Sequence, residues 1–530
     1  MFNQNRVRSL PPTLHGLLEM RASERPDHPF LMASGQSWTF AELDRHANRL
    51  AHGLKRRGVG KGDHVLLMMA GSPTYLALWF AVSKLGAVEV PVNSAYRGAM
   101  LQHVLQTAQV RLAIVEEAHR AVFLEASDAL IAPGDVLDPD ALFTEADDDG
   151  PFAGATDNAD VAAGDPACVI FTSGTTGPSK GVVISHRHQM SFGLFFSEIT
   201  EFRADDVAYN YLPFFHIAAK FLALGTMLAG GRMALRPVFS LSRFWSDVHE
   251  YGATVCVAVG GLCHLLNSAP ERPTDAENPL RLIYAVPIPW EFKERFEARF
   301  GLELVEAYGG TESNLVVYSR RGENTPRGSC GRPSDHFDVA ILDEDGCEVP
   351  CGEAGEICIR PRHPRTVMTG YLGLPEKTLE AFDGCWIHTG DRAYMNEDGY
   401  IFFLDRMKDA IRRRGENISS FEVERMLNAH PDVAESAVVP VPSEVGEDEV
   451  KAIVVLHKGS SLTPEALLRF AVETMPYFMV PRFIEFRAEL PRTPTMKVRK
   501  IELRTEGRTG STWDCEQAGL RITRRGLEPL

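Results

Sequence analysis

Long apolar runs are scarce in this sequence. The most apolar stretch, 75–92, is interrupted by Lys84 and Glu89. It reads as a buried helix over 74–85 followed by a strand, because a membrane span needs about 20 consecutive apolar residues. The opening segment, MFNQNRVRSLPPTLHGLLEM, has no apolar core of signal-peptide length, and neither end shows a lipidation motif. The expected location is cytoplasmic, with no integral membrane association. Positive charge is also short: 55 Lys and Arg stand against 71 Asp and Glu, for a net charge of −16. A nucleic-acid partner needs clustered basic residues and is not expected; one local basic pocket for a phosphorylated ligand remains open. No internal repeat occurs at solenoid periods. The nine cysteines are scattered, and their spacing fits no usual zinc site. Cys358 alternates within Glu356-Ile357-Cys358-Ile359-Arg360 and reads as a small buried thiol.

What is present is an α/β pattern over 530 residues, enough for two or more domains. The period predicts a helix over 39–57 with Leu43, Ala47, Leu50, Ala51 and Leu54 on one face. A strand over 64–70, the helix over 74–85 and a strand over 87–92 follow. An acidic, Gly-rich stretch over 145–165 reads as solvated. Short strands and turns over 339–360 predict a β subdomain. Near Asp405 the texture changes: a charged run over 405–409 is followed by a helix over 420–427, strands over 433–441 and 451–456, and a helix over 464–473. The fold class expected is therefore α/β. A large N-terminal domain of layered α/β structure plus a small β subdomain covers 1–405, and a small α+β domain covers 410–504. The polar tail over 505–530 is expected to be peripheral.

Five clusters carry chemistry. In Phe171-Thr172-Ser173-Gly174-Thr175-Thr176-Gly177-Pro178-Ser179-Lys180-Gly181, a Gly, Ser and Thr loop lies between two apolar runs that read as buried strands. Glycines let several N–H groups turn toward one anion, three hydroxyls add donors and Lys180 adds charge. The spacing is not that of a G-x-x-x-x-G-K-[ST] loop. Tyr308-Gly309-Gly310-Thr311-Glu312 offers a stacking face and a carboxylate for Mg²⁺. Asp391, in His388-Thr389-Gly390-Asp391, can accept from two ribose hydroxyls. The last two clusters are Asp405-Arg406-Met407-Lys408-Asp409 with Ile411-Arg412-Arg413-Arg414-Gly415, and Pro491-Arg492-Thr493-Pro494-Thr495-Met496-Lys497. Each alone is weak; a charge run, for instance, is most often a solvated face.

In this order and spacing the five clusters resemble the adenylate-forming superfamily of acyl- and aryl-CoA ligases, luciferases and nonribosomal adenylation domains, over about residues 38–500. Within it the chain looks most like the crotonobetaine/carnitine-CoA ligase group. The resemblance implies an AMP-forming acyl-CoA synthetase using ATP, Mg²⁺ and coenzyme A, with a mobile C-terminal lid. A carboxylic acid attacks ATP to give acyl-AMP and pyrophosphate, and the coenzyme A thiol then displaces AMP. It further implies that Thr172, Ser173, Gly174, Thr175, Thr176, Gly177 and Lys180 hold the β- and γ-phosphates. Thr311 would touch the α-phosphate and Glu312 would bind Mg²⁺. Glu306, Ala307, Tyr308 and Gly309 would line the adenine site, and Asp391 and Arg406 the ribose. Lys497 would bridge the α-phosphate and the carboxylate. His216 would sit where acyl and nucleotide sites join. Lys408 would be the hinge, within 406–409, and Arg414 and Gly415 would help form the coenzyme A tunnel. Asn417 matches a nucleotide-contacting position. A homodimer is one assembly the resemblance allows.

Two places leave the family pattern. Met496 stands where a glycine commonly precedes the lysine, and Tyr284-Ala285-Val286-Pro287-Ile288-Pro289 replaces a Gly-Gly-Ala-Pro wall of the acyl pocket. The pocket would draw on 216–224, 259–263, 285–288 and 309–314, mostly small and apolar, which suits an aliphatic or alicyclic acid. Lys220 is the odd member. It reads first as a surface lysine on a helix; pointing inward, it would pair with a second carboxylate of the substrate. No acidic or aromatic cage for a quaternary ammonium is legible. Two other functions stay open: an adenylating enzyme serving a carrier protein or another acceptor, and a non-catalytic nucleotide-binding protein.

Overall fold

The computed structural model describes residues 5–127, 130–140, 142, 161–172, 179–259, 262–406, 411–413, 416–418, 420–442, 448–475, 477–493, 497–523 and 526–530. Its contacts divide the chain into two compact units, one of residues 1–339 with 359–388, the other of 340–358 with 389–530. Both mix helices with sheets, as the α/β reading expects.

In the first unit, helix α1 (Phe40–Arg56) starts at a capping box. The Thr39 hydroxyl accepts the Glu42 N–H, and the Glu42 carboxylate accepts the Thr39 N–H at 2.8 Å. Its apolar face, Leu43, Ala47, Leu50, Ala51 and Leu54, is fully buried. Strand β1 (His64–Met68), helix α2 (Pro73–Lys84) and strand β2 (Val88–Pro91) follow, close to their sequence readings. Helix α2 has Ser72 as N-cap and proline in its first turn, and it is buried on every side. Among the described residues no helix is long and apolar enough to cross a membrane.

Strands β3 (Pro166–Thr172) and β4 (Lys180–Ser185) form an antiparallel pair. Helix α3 (His186–Ile199) leaves β4 directly, capped by the Ser185 hydroxyl. Helix α4 (Ile217–Ala229) packs on α3 through paired glycines. A Cβ on Gly193 would stand 2.6 Å from Leu224 Cβ, and one on Gly225 would stand 2.9 Å from the Gly193 carbonyl. Strands β5 (Ala307–Gly310) and β6 (Asn314–Tyr318) pair antiparallel. Strand β7 (Gly370–Tyr371) returns to the edge of β4.

One seven-stranded sheet thus runs β7, β4, β3, β2, β1, Leu112–Val115 and Val136–Leu137. It is parallel from β3 onward and antiparallel at its β4 and β7 edge. A second seven-stranded sheet runs from Glu303–Val305 to Gln36–Thr39, parallel except for that last strand. Such mixed sheets put loops at the strand ends, where ligands bind in α/β folds.

In the second unit, strands β8 (Ile411–Arg413) and β9 (Glu416–Ile418) pair, and helix α5 (Ser420–Asn428) follows. Strands β10 (Val433–Pro442), β11 (Asp448–Leu456) and β12 (Phe483–Arg487) form a sheet with Trp513–Asp514, and helix α6 (Pro464–Thr474) lies between β11 and β12 in the chain. Val423, Leu427, Val438, Val454, Leu467 and Leu468 are in its core.

The segment beyond Arg504 differs from the peripheral tail expected. Trp513–Asp514 pairs with β12, Asp514 binds the Arg482 guanidinium at 3.1 Å, and Cys515 and Ile522 belong to the core. A few apolar residues at the right register suffice to anchor an otherwise polar segment. All nine cysteines lack a disulfide, and Cys358 is buried as its alternating strand implies.

Candidate active site

In the first unit the β3 and β4 pairing sets Thr172 opposite Lys180. Residues 173–179 therefore connect the paired ends of β3 and β4. Of these, Ser173, Gly174, Thr175, Thr176 and Gly177 lie outside the described residues, but both shoulders are placed. The Thr172 hydroxyl donates to Glu312 Oε1 at 3.4 Å, so the hairpin mouth and the turn after β5 meet. Tyr371, from β7, donates to the same oxygen at 3.4 Å, and its ring lies 3.9 Å from the Lys180 ammonium. Three side chains expected to face phosphate and metal are thus brought together, with a tyrosine that sequence reasoning did not single out. Its only sequence signal is an aromatic after glycine in Thr369-Gly370-Tyr371.

The turn carrying Thr311 and Glu312 is held in place from behind. Asn314 takes a left-handed backbone, φ 77°, uncommon outside glycine. Its buried side chain donates to Ser191 Oγ at 2.8 Å and to the Thr366 carbonyl at 2.9 Å. Gly309 fits because a Cβ there would lie 1.9 Å from the Asn314 carbonyl oxygen. The Met368 N–H donates to the Glu312 carbonyl at 2.9 Å. Thr311, Glu312 and Tyr308 stay half-buried, and Ala307 is buried.

Glu306, just before β5, is 5 % exposed. Burial raises its carboxyl to about 8, against the opposing pull of the Ile288 backbone and the Trp290 indole. At neutral pH it is mostly a neutral acid that can donate as well as accept. Its Oε2 has no hydrogen-bond partner among the described residues.

His216 is the N-cap of α4. Its Nδ1 accepts the Ala218 N–H at 3.2 Å, so the ring in its neutral form carries its proton on Nε2. One helical turn on, Lys220 is not the surface lysine expected. It is fully buried, and it pairs with Glu89 of β2, at 2.8 Å to Oε1 and 2.7 Å to Oε2. The Tyr75 hydroxyl donates to Glu89 Oε1 at 2.6 Å. Burial and the Glu89 charge hold that phenol well above its ordinary range. The ammonium also lies 4.3 Å from the Trp79 ring, 5.5 Å from Tyr75 and 6.0 Å from Phe214. The inward orientation therefore serves an internal carboxylate, because helix α4 is apolar all round and the β2 face opposite supplies the counter-charge.

In the second unit Asp391 stands opposite Arg406 in strand register. Gly390, at φ 72°, turns the chain there, and its N–H donates to Glu356 Oε1 at 2.7 Å. The Thr389 hydroxyl donates to the Ile357 carbonyl at 2.7 Å and accepts the Asp391 N–H. Lys497 closes a small loop: its N–H donates to Thr493 Oγ1 at 3.1 Å, its carbonyl accepts the Thr493 N–H at 2.7 Å, and the residue is exposed. Asn417 lies in β9 opposite Arg412. Lys408, Arg414 and Gly415 fall outside the described residues.

The middle arginine of the basic run is not solvated. Arg413 is buried, donates to the Phe478 and Val480 carbonyls at 3.1 and 2.8 Å, and lies 2.6 Å from Glu449. It fixes the β8 and β9 hairpin to the unit's core. Arg413→Lys, which keeps the charge but loses the planar fork, is expected to cost about 1–3 kcal/mol. The denaturant midpoint of the full chain measures it.

Comparison with known proteins places this geometry. A model described as AMP-binding enzyme matches residues 18–372, and one described as AMP-binding enzyme C-terminal domain matches 422–497. A crotonobetaine/carnitine–CoA ligase of Citrobacter koseri is 32% identical over 486 residues, 88% of this chain and 93% of the relative. ATP-bound MatB from Rhodopseudomonas palustris superposes with a TM-score of 0.81 at 28% identity, over 92% of this chain and 98% of that one. The anthranilate CoA ligase AuaEII with anthranoyl-AMP shares the fold, with a TM-score of 0.84 at 23% identity over 95% and 99% of the two chains.

Proposed function

Because the chain belongs to the AMP-binding enzyme family, we propose that it is an ATP-dependent, AMP-forming acyl-CoA ligase in which the cluster of Thr172, Lys180 and Glu312 receives the triphosphate. The observation that carries the reading is that convergence at the mouth of a glycine loop. A carboxylate is a poor acyl donor, so it is first joined to AMP, and the thiol of coenzyme A then expels AMP. Two anions must meet in the first step, which makes neutralisation and positioning the main tasks.

In this reading Lys180 and the loop residues 173–177 hold the β- and γ-phosphates, and Thr311 hydrogen-bonds the α-phosphate. Glu312, whose Oε1 accepts from the Thr172 and Tyr371 hydroxyls, offers a hard carboxylate oxygen that fits Mg²⁺. When bound, that ion supplies charge neutralisation on the phosphates. Glu306, neutral at physiological pH, faces adenine with Ala307, Tyr308 and Gly309, while Asp391 and Arg406 take the ribose and Asn417 approaches the nucleotide. His216 offers an Nε2–H to the developing negative charge between acyl group and phosphate. Lys497 bridges the α-phosphate and the carboxylate. The second half-reaction then uses Lys408 as hinge and Arg414 and Gly415 beside coenzyme A. The proposal includes a cytoplasmic location.

The acid is an aliphatic or alicyclic monocarboxylate. A dicarboxylate gains nothing from Lys220, whose charge is already neutralised by Glu89. The test is ATP-dependent AMP release across short, medium, alicyclic, aromatic, dicarboxylic and betaine acids, with and without coenzyme A. The expected result is release that requires one acid class and coenzyme A, with a thioester seen by mass. Acyl-AMP that accumulates while coenzyme A changes nothing points instead to a carrier-protein acceptor, and silence of wild-type protein that also binds no ATP overturns the assignment.

A further inference from the structure

Tyr371 reaches its place from far along the chain and is held there closely. Strand β7 pairs Tyr371 with Val182 and Gly370 with Val183, just after Lys180 on β4. The Leu372 N–H donates to the Gly181 carbonyl at 2.8 Å, and the Tyr371 N–H donates to Thr378 Oγ1 at 2.9 Å. A Cβ on Gly370 would stand 2.8 Å from Thr378 Cγ2, so only glycine lets the strand sit this close. With the backbone fixed, one face of the ring lies 3.9 Å from the Lys180 ammonium and the hydroxyl reaches Glu312 Oε1 at 3.4 Å. One side chain touches the cationic arm and the anionic arm of the same site.

The two contacts do different work. A cation over an aromatic face is attracted to it, which confines a flexible lysine without consuming the N–H groups it would offer to phosphate. On the other arm, the Thr172 and Tyr371 hydroxyls both donate to Oε1 of Glu312. A carboxylate engaged twice at one oxygen is turned so that Oε2 is the oxygen presented to a cation. Building on the ligase reading above, we propose that Tyr371 is the positioning residue of the triphosphate site, its ring seating Lys180 and its hydroxyl orienting the Glu312 carboxylate. Nucleotide affinity and metal affinity are then separable functions of one side chain.

Tyr371→Phe keeps the ring and removes the hydroxyl; Tyr371→Leu removes both. Calorimetry with a non-hydrolysable ATP analogue, in EDTA and across a MgCl₂ titration, reads each arm without turnover. The Phe variant is expected to bind the analogue in EDTA as the wild type does, while the MgCl₂ concentration for half-saturation rises roughly three- to tenfold. The Leu variant is expected to lose roughly three- to tenfold in EDTA as well. Both are expected to melt near the wild type. A Phe variant with an unshifted MgCl₂ titration overturns the proposal, as does equal loss by both variants in EDTA. Failure of the wild type itself to bind the analogue is a different result, and it removes the ligase reading together with this one.

Discussion

Lys497→Ala is expected to lower acyl-AMP formation by about 10²–10³-fold while leaving thioester formation from supplied acyl-AMP close to wild type. The size follows from the charge balance of the first half-reaction. A carboxylate approaches a phosphate that already carries negative charge, and in the role proposed for Lys497 one ammonium stabilises the transition state more than either ground state. The specificity for one half-reaction follows from the second step, in which the attacking thiol meets an acyl-AMP that needs no such bridge. Lys497 is exposed, and its two hydrogen bonds to Thr493 run through its own backbone, which an alanine keeps. The melting temperature is therefore expected to stay put. Measuring pyrophosphate release and acyl-AMP consumption separately on one preparation checks both halves, and an equal loss in each would sink the assigned role.

Lys220→Met is expected to destabilise the chain by about 3–5 kcal/mol, the usual result of leaving one member of a buried ion pair alone. Glu89 would keep the Tyr75 hydroxyl and lose its counter-charge inside an apolar setting. The partner change Glu89→Gln, added to Lys220→Met, should recover most of the loss, since a neutral amide can still accept from Tyr75. Denaturant midpoints for the two single variants and the double variant form the cycle that measures this. A single variant as stable as the wild type would show that the pair contributes no net stability.

The Lys220 outcome shows where sequence reasoning stops. The helix was legible from its apolar run, but its lysine was read as a surface residue and is fully buried. Its partner was not legible, because Glu89 is 131 positions away and on a different element. Tyr371 is the same case, since it enters the site only through a strand pairing that no local pattern announces. Elements set by local physics were read closely: α1 by its period and α2 by its apolar run, while their caps at Thr39 and Ser72 came from the structure. Thr172, Lys180 and Glu312 were legible as types of residue, and the structure supplied their convergence. The segment after Arg504 was misjudged because composition averages over the few positions, such as Cys515 and Ile522, that point inward.

The first unit is not one continuous stretch of chain. It takes residues 1–339, releases 340–358 to the other unit, and resumes at 359–388. Strand β7, in that returning piece, completes the sheet edge beside β4. On the ribosome, therefore, the glycine hairpin emerges long before the tyrosine that will sit beneath its lysine. A growing chain stalled at residue 360 holds Lys180 and Glu312 without the side chain that links them, and its sheet edge is still open to other partners. That sheet edge is completed late in synthesis, with the return of the chain rather than with its beginning.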